Sequence, residues 1–379
     1  MYKIPFNRAD ITVDDQAMMI DAIKRGHISG NGFYTKQAEA IIEQSMGSTK
    51  ALLTTSCTHA LEMAALLANL KPGDEVIVPA YTFVSTASAF MLHGGRPVFI
   101  DVQSDTLNLD PDLVEASITS RTRAICVVHY AGVAANIERL QQIANAHNLV
   151  LIEDNAHGLF ATYKSKPLGT FGSLATQSFH ETKNVTCGEG GALIVNDASL
   201  SERAEILREK GTDRTKFLRG QVDKYTWVDV GSSWVMSDML AAVLTSQLGR
   251  AHEITQQRLT IYDRYASELQ DWAINHHVAT PEVPADCNHT AHMFHLRFER
   301  ADQRDAFIDH LAKHQILAVF HYQSLHLSKI GLQLGGRKGQ CPVTEHASDC
   351  LVRLPLFNTL TELEQTQTIE AVTSFHPTL

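Results

Sequence analysis

The stretch Leu149-Val-Leu-Ile-Glu-Asp-Asn-Ala-His157 is a continuous apolar run that ends abruptly in charged and polar side chains. A strand covered on both faces has such a run, whereas a half-exposed strand alternates apolar and polar residues. Similar runs, separated by amphipathic stretches, recur at residues 75–79, 97–100, 124–128, 175–179 and 191–195. This order predicts an α/β fold in which helices cover both faces of a large, mainly parallel sheet.

The pattern changes in the C-terminal third of the chain. Helical spacing without proline runs from Ser237 to Leu269 and is interrupted only by Gly249, which predicts a long helix or a kinked helix pair. Residues 292–298 then alternate like a half-buried strand, and residues 304–314 have helical spacing. Together these segments predict a smaller α+β unit after the large sheet.

Length and charge limit the architecture and the partners. A chain of 379 residues is long enough for two domains, and we predict a large domain at residues 1–250 and a small one at residues 251–379. The net charge of −10 argues against a nucleic-acid partner, because proteins that neutralise phosphates have a basic surface.

The compartment is predicted from cysteines and apolar segments. The six cysteines include no CxxC pair, which favours reduced thiols over a disulfide framework. The segment Met1-Tyr-Lys-Ile-Pro-Phe-Asn7 lacks the pattern of a signal peptide, and no later run reaches the roughly 18 apolar residues of a membrane span. We therefore expect a cytoplasmic protein that does not associate with a membrane.

Polar residues at the ends of the predicted strands are expected to share one crevice, since ligands of α/β sheets bind at the carboxyl ends of strands. Asp154, His129 and Ser178 each lie at or just past the end of an apolar run. Lys183 follows within Gln177-Ser-Phe-His-Glu-Thr-Lys-Asn184, shortly before the glycine-rich turn Gly188-Glu-Gly-Gly191.

A lysine, a carboxylate and a phosphate-binding turn are the parts of a pyridoxal 5′-phosphate (PLP) site. This cofactor needs an amine to hold its aldehyde, a carboxylate to keep its ring nitrogen protonated, and donors for its phosphate. Lys183 supplies the amine and Asp154 the carboxylate. Taken alone, a lysine is far more often a solvated surface residue than a cofactor ligand, and an aspartate commonly caps a helix or turn; the surrounding residues favour the PLP site.

The remaining cofactor contacts are predicted from local position. Thr54-Thr-Ser-Cys-Thr58 precedes a strongly helical segment, where hydroxyls either cap the helix or bind phosphate with its free amides. Ser178 adds a hydroxyl from a neighbouring strand, which favours the phosphate. Phe83 and His157 follow predicted strands, and each either packs in the core or lies against a flat ring.

Other common sites lack their fingerprints. The sequence contains neither GxGxxG nor GxxxxGK[ST], so neither a dinucleotide nor a P-loop nucleotide site is predicted. Cys287, His289 and His292 match no standard zinc spacing, and we predict no metal site.

The segment from Lys210 to Lys224 is basic within an acidic chain. Such a segment is usually a solvated face. Arg214, Lys216 and Arg219 are nevertheless also suited to receiving a diphosphate.

Several longer segments make the chain resemble a known family. It is similar over essentially its whole length to the DegT/DnrJ/StrS sugar aminotransferases, which have the aspartate aminotransferase-like fold of type I PLP enzymes. The segments that resemble the subgroup acting on dTDP-4-dehydro-6-deoxyglucose are Tyr81-Thr-Phe-Val-Ser-Thr86, His129-Tyr-Ala-Gly-Val133, Phe179-His-Glu-Thr-Lys-Asn184, Arg219-Gly-Gln-Val-Asp-Lys-Tyr-Thr-Trp227 and Val319-Phe-His-Tyr322.

The resemblance implies roles for the matching residues. Lys183 would hold the cofactor covalently and then move the proton between the cofactor and the sugar. The other cofactor contacts would come from Asp154, His157, Phe83, Cys57, Thr58 and Ser178.

The resemblance also implies a homodimer whose sites are completed across the interface, usually by an asparagine of the partner. Ser233 stands at the matching position of this chain, so that contact is expected to differ. His321, Tyr322 and the basic segment with Arg214, Lys216 and Arg219 are the candidates for contacts with a sugar nucleotide.

The implied reaction moves the amino group of L-glutamate to C4 of dTDP-4-dehydro-6-deoxyglucose. The product, dTDP-4-amino-4,6-dideoxygalactose, would serve a surface polysaccharide such as O-antigen or enterobacterial common antigen. The alternatives are the gluco epimer, amination of another nucleotide sugar, and a non-catalytic nucleotide-sugar sensor. A PLP-dependent dehydratase is disfavoured, because such relatives have histidine at the position of Lys183.

Overall fold

The computed structural model describes residues 2–377 of the chain. Over those residues the α-helices are α1 (Val13–Lys24), α2 (Phe33–Met46), α3 (Cys57–Leu67), α4 (Ser85–Leu92), α5 (Pro111–Ala116), α6 (Ile137–Ala146), α7 (Ser201–Arg208), α8 (Arg214–Leu218), α9 (Asp238–Gly249), α10 (Ala251–Asn275), α11 (Ala301–Lys313), α12 (Lys329–Gln333), α13 (Pro342–Cys350) and α14 (Glu362–Thr373). The strands are β1 (Lys50–Thr54), β2 (Glu75–Pro79), β3 (Arg96–Ile100), β4 (Thr122–Val128), β5 (Val150–Asp154), β6 (Thr162–Tyr163), β7 (Lys166–Pro167), β8 (Leu174–Ser178), β9 (Gly191–Val195), β10 (Cys287–Asn288), β11 (Phe294–Arg297), β12 (Val319–Phe320) and β13 (Leu351–Leu354).

A seven-stranded sheet with the order β1-β9-β8-β5-β4-β2-β3 forms the centre of the structure. The five strands from β8 to β3 pair in parallel, and β9 is antiparallel to both β8 and β1. Thr54, Gly191 and Ser178 are partners across three adjacent strands, so the end of β1, the start of β9 and the end of β8 share one edge. The mainly parallel sheet expected from the apolar runs is therefore confirmed.

The predicted strands match the observed ones to within one or two residues, and β2 and β9 match at both ends. β1 was not predicted, because its apolar run Ala51-Leu-Leu53 is only three residues long and is flanked by polar residues.

The predicted helix pair is present as α9 and α10, with Arg250 between them. Beyond it lies a second sheet with the order β11-β13-β12, whose strands are antiparallel. Its hydrophobic core is built from α10, α11, α14 and the sheet itself, and Ile4 joins it from the N-terminal segment. The division into residues 1–250 and 251–379 stays a prediction.

None of the helices among residues 2–377 is long and apolar enough to cross a membrane. The six cysteines are all free thiols. Within the same residues, no three His, Cys, Asp or Glu side chains come together as a metal site.

Arg258 on α10 is a buried cation that fastens two later segments to the helix. It is 2% exposed and donates to the carbonyls of Ala291 (3.0 Å), His292 (2.7 Å) and Leu356 (3.2 Å), and to Oδ1 of Asn358 (3.2 Å). Burial lowers its pKa to about 9. These hydrogen bonds satisfy carbonyls that would otherwise be buried without donors.

We predict that Arg258→Met lowers the free energy of unfolding by about 3 kcal/mol, because the buried carbonyls lose their donor. Urea denaturation followed by circular dichroism measures this difference. Gln257→Met introduces the same side chain at the exposed neighbouring position and should change stability by less than about 0.5 kcal/mol. Equal midpoints for the two variants would contradict the structural role of Arg258.

Candidate active site

A cavity of about 1360 Å³ opens at the carboxyl edge of the large sheet and extends to the small sheet. Asp154 and Ser178 line it from the strand ends, and Lys183 lines it from the loop between β8 and β9. Tyr322 and Arg353 line it from the C-terminal part of the chain. The residues predicted for one crevice from the strand pattern therefore meet, with the exception of His129.

His129 faces away from this cavity and forms a buried pair with Glu153. The amide of Ala135 donates to its Nδ1 (3.1 Å), so Nε2 carries the proton and donates to Glu153 (2.9 Å). The expectation that His129 points into the crevice is wrong, since the pair fixes the loop after β4 instead.

The loop that carries Lys183 is closed by its own backbone. Phe179 donates to the carbonyl of Gly190 (2.8 Å), and Cys187 donates to the carbonyl of Phe179 (3.0 Å). The loop therefore forms a short return that presents Lys183 to the cavity. Burial lowers the pKa of Lys183 to about 8, despite the opposing effect of nearby Asp154, so its amine loses a proton more readily than an exposed lysine.

Asp154 is a buried carboxylate at the end of β5. Thr86 donates its hydroxyl to Oδ2 (2.7 Å), and the amide of Ala156 donates to Oδ1 (3.3 Å). Burial raises the pKa of Asp154, whereas the Thr86 hydrogen bond and the charge of Lys183 oppose this rise. A cation placed beside it would stabilise the charged form, and the protonated ring nitrogen of PLP is such a cation.

The start of α3 provides donors for a phosphate. Ser56 caps the helix by accepting from His59 (3.2 Å), which leaves the amides of Cys57 and Thr58 in the first turn without helical partners. A Cβ at Gly191 would lie 2.3 Å from the Cys57 nitrogen, so only glycine lets β9 approach this turn so closely.

Hydroxyl groups continue this cradle. The Thr58 hydroxyl is 2.8 Å from that of Ser85, and Ser178 lines the same cavity. The thiol of Cys57 instead lies 3.5 Å from Thr176 and 4.0 Å from Asp154, so its side chain faces the carboxylate. The amine, carboxylate and phosphate donors thus fit PLP as one set.

Aromatic side chains bound the space between the carboxylate and the cavity mouth. Phe83 is 56% exposed and faces the ring of Tyr322 at 6.3 Å, which leaves its face free for a flat ligand. His157 stacks on His292, with ring centroids 4.2 Å apart. The amide of Ala131 donates to Nδ1 of His157 (3.3 Å), so Nε2 donates to the Tyr322 hydroxyl (3.2 Å).

His321 and Tyr322, two of the predicted substrate contacts, line the same cavity. Their rings stack 3.6 Å apart, and Nδ1 of His321 is 2.7 Å from the Tyr130 hydroxyl. Burial holds the pKa of His321 well below its ordinary value, so this histidine is neutral. The pair therefore offers polar groups without charge.

Four predicted contacts lie outside this cavity. Arg214 and Lys216 on α8 and Arg219 at its end form ion pairs with the acidic side chains of Glu209, Glu202 and Glu205. Ser233 is exposed and bridges Glu209 in a neighbouring segment. In the single chain none of these four residues is brought to Lys183, and their roles stay predictions.

His292 and Arg353 line the cavity, and Thr86 is buried beside it with its hydroxyl bonded to Asp154, but none of the three was among the predicted site residues. Arg353 carried a signal, because a charge within the apolar run Leu351-Val-Arg-Leu354 is unusual. No pattern indicated the contacts of Thr86 with Asp154 or of His292 with His157, since these partners lie far away along the chain.

Comparisons with known proteins agree with this site. The sequence profile of the DegT/DnrJ/EryC1/StrS aminotransferase family matches residues 9–373. The chain is 33% identical over 361 residues to a pleiotropic regulatory protein of Geobacillus stearothermophilus, and the match covers 94% of this chain and 93% of that protein.

Several solved structures are also similar to this chain over nearly its whole length. The PLP form of Spr1654 of Streptococcus pneumoniae has a TM-score of 0.90 and 29% identity, with 98% of each chain covered. The aminotransferase TlmJ of Streptoalloteichus hindustanus has a TM-score of 0.89 and 27% identity, covering 99% of this chain and 98% of that one. DesV of S. venezuelae has a TM-score of 0.88 and 29% identity, with 98% of each chain covered. The chain therefore belongs to the DegT/DnrJ/EryC1/StrS aminotransferase family, with an aspartate aminotransferase-like fold and PLP as its cofactor.

Proposed function

We propose that this enzyme transfers the amino group of L-glutamate to C4 of dTDP-4-dehydro-6-deoxyglucose and gives dTDP-4-amino-4,6-dideoxygalactose. The observation that carries the proposal is the meeting of Lys183, Asp154 and the start of α3 in one large cavity. Its volume of about 1360 Å³ is generous for a ligand as large as a sugar nucleotide. The segments quoted above support the thymidine nucleotide and a role in surface polysaccharide synthesis in the cytoplasm.

PLP, when bound, acts as an electron sink through which an amino group passes from a donor to an acceptor. Asp154 would keep the positive charge on the ring nitrogen, and Thr86 holds the carboxylate in place. Lys183 would hold the cofactor through Nζ and would carry a proton at that atom during transfer. Its lowered pKa suits this work, because an acid–base group is most effective when its pKa is close to the working pH.

The proposed active unit is a homodimer. Ser233 and the basic residues of α8 face outward, and Trp227 in the same region is 77% exposed, which is unusual for so large an apolar side chain. A partner subunit that covers this region would receive Ser233 near its cofactor phosphate and Arg214, Lys216 and Arg219 near its nucleotide diphosphate.

NMR of the product tests the proposed reaction. The enzyme is incubated with PLP, L-glutamate and dTDP-4-dehydro-6-deoxyglucose, and the coupling between H3 and H4 of the sugar is measured. A small coupling means an axial amine and the galacto product, whereas a large coupling means the gluco epimer.

The absence of any aminated sugar would overturn the proposed acceptor. If the visible absorbance of lysine-bound PLP is also absent, the non-catalytic nucleotide-sugar sensor is favoured instead. The Geobacillus relative is named a pleiotropic regulatory protein, which is consistent with such a sensor. Lys183→Ala is the control, and no sugar should be aminated by that variant.

The pH dependence of cofactor loading follows from the pKa of Lys183. Only the neutral amine attacks an aldehyde, so we expect the loading rate of apoprotein to rise with pH and to level off above about pH 8. Stopped-flow absorbance between about pH 6 and pH 10 measures this rate. A rate that keeps rising to about pH 10 would mean that Lys183 behaves as an exposed lysine.

Replacement of Asp154 tests whether its negative charge supports the electron-sink role of PLP. Asp154→Asn keeps an acceptor for the Thr86 hydroxyl but loses the negative charge, so kcat should fall by about 100-fold or more. Single-turnover kinetics with glutamate measure the loss. The control is Glu189→Gln, which removes an exposed carboxylate of the same cavity and should leave the rate within about twofold. Equal rates for the two variants would argue against the role of Asp154.

A further inference from the structure

Asn184, which directly follows Lys183, ties the lysine loop (residues 179–190) to the segment that leads into the small sheet. Its Nδ2 donates to the carbonyl of Thr290 (2.7 Å), and its Oδ1 lies 3.0 Å from Nδ1 of His292. Because a carbonyl only accepts hydrogen bonds, the first contact fixes the orientation of the amide. The amide oxygen therefore faces His292, and Nδ1 of that ring is the donor.

The His292 ring has a fixed protonation state and a fixed backbone. Burial holds the pKa of His292 well below its ordinary value, so the ring is neutral and carries a single N–H, on Nδ1. The carbonyl of the same residue accepts from Arg258 (2.7 Å). His292 is thus held by Asn184 at its ring and by Arg258 at its backbone.

The His292 ring in turn supports His157, which lines the cavity with Lys183. The two imidazole rings stack with their centroids 4.2 Å apart and their planes inclined by 20°. His157 is only 6% exposed, and both of its ring nitrogens have hydrogen-bond partners. A continuous path of contacts therefore joins the lysine loop, through Asn184 and His292, to His157.

Asn184 is well placed to hold the amine of Lys183, because the two residues are adjacent along the chain. Another tie of the lysine loop, from Asn7 to the carbonyl of Glu181 (3.1 Å), lies two residues before the lysine. A misplacement of a reacting group by about 1 Å is enough to cost about 100-fold in rate. A side chain that limits the movement of Lys183 therefore affects the reaction without contacting the substrate.

We propose that Asn184 and His292 are positioning residues, which hold Lys183 and His157 in one geometry against the cofactor. This inference rests on the proposed roles of Lys183 and His157 but not on the identity of the sugar. Loss of either positioning residue should leave the cofactor bound but less firmly oriented. The half of the reaction that uses glutamate should then be slower.

Circular dichroism of the bound cofactor tests its orientation directly. A flat chromophore such as PLP has a strong dichroism band only when the protein holds it in one orientation, so the ratio of this band to the visible absorbance measures how firmly it is held. We expect this ratio to fall by about twofold or more in Asn184→Ala. His292→Phe should have the same effect, since it keeps a ring for stacking on His157 but donates nothing to Asn184.

Single-turnover kinetics with glutamate are the second readout. The rate should fall by about 10- to 100-fold in each single variant, because the reacting amine is misplaced. If the two residues act as one chain of contacts, the variant that combines both changes should lose no more than the larger of the two single losses. Asn288→Ala makes the same change at an exposed residue outside the cavity and should match the wild type in both measurements.

Three results would overturn the proposal. The first is an unchanged dichroism ratio and glutamate rate in both single variants. The second is a combined variant whose loss is the product of the single losses, since the residues would then act separately. The third is a loss confined to Asn184→Ala, since Asn184 would then act through Thr290 alone.

These outcomes are separate from a failure of the proposed function. Failure of the sugar to react would concern the proposed acceptor, because neither measurement contains sugar. If the wild type does not react with glutamate, the proposed donor is wrong, and the dichroism ratio still decides whether Asn184 positions the cofactor site. If Asn184→Ala does not fold, His292→Phe decides, because it leaves the contact between Asn184 and Thr290 intact.

Discussion

The burial of two adjacent carboxylates at the end of β5 is the constraint around which this active site is built. Successive side chains of a strand point to opposite faces, so Glu153 and Asp154 face different surroundings. Glu153 accepts from the amides of Gly169, Phe171 and Gly172 and from His129, so both of its oxygens have a full set of donors within the chain. Asp154 accepts from one hydroxyl, one amide and, at 4.0 Å, the weakly donating thiol of Cys57, which is a weaker set of donors.

This difference explains why one carboxylate is structural and the other is available for chemistry. A buried charge with a full set of donors is stable as it stands, whereas one with a partial set is stabilised further when a cation arrives. Binding of the cofactor is therefore favoured by the same burial that makes Asp154 costly alone. The cations Lys183 and Arg353 are in a comparable position to Asp154, since neither of them is ion-paired within residues 2–377.

Much of this arrangement could be predicted from the sequence. Continuous apolar runs give buried strands, and the common direction of parallel strands brings their carboxyl ends together, which placed Asp154, Ser178 and Lys183 at one edge. The reversed direction of β9 and the pairing of His129 could not be predicted, because both depend on contacts between distant segments. The basic residues of α8 show the same limit, since composition reveals a cluster of charge but not its distance from the cavity.

The segment around Ile4 and Phe6 depends on contacts with residues far away along the chain. Ile4 forms a bridge with Ile316, and Phe6 covers Arg353, so this segment packs against residues from the C-terminal part of the described chain. The strands of the large sheet, by contrast, all precede those partners along the chain. The wall of the cavity around Arg353 therefore depends on a contact between segments far apart in sequence, whereas Asp154 and Ser178 are positioned by strands of the large sheet.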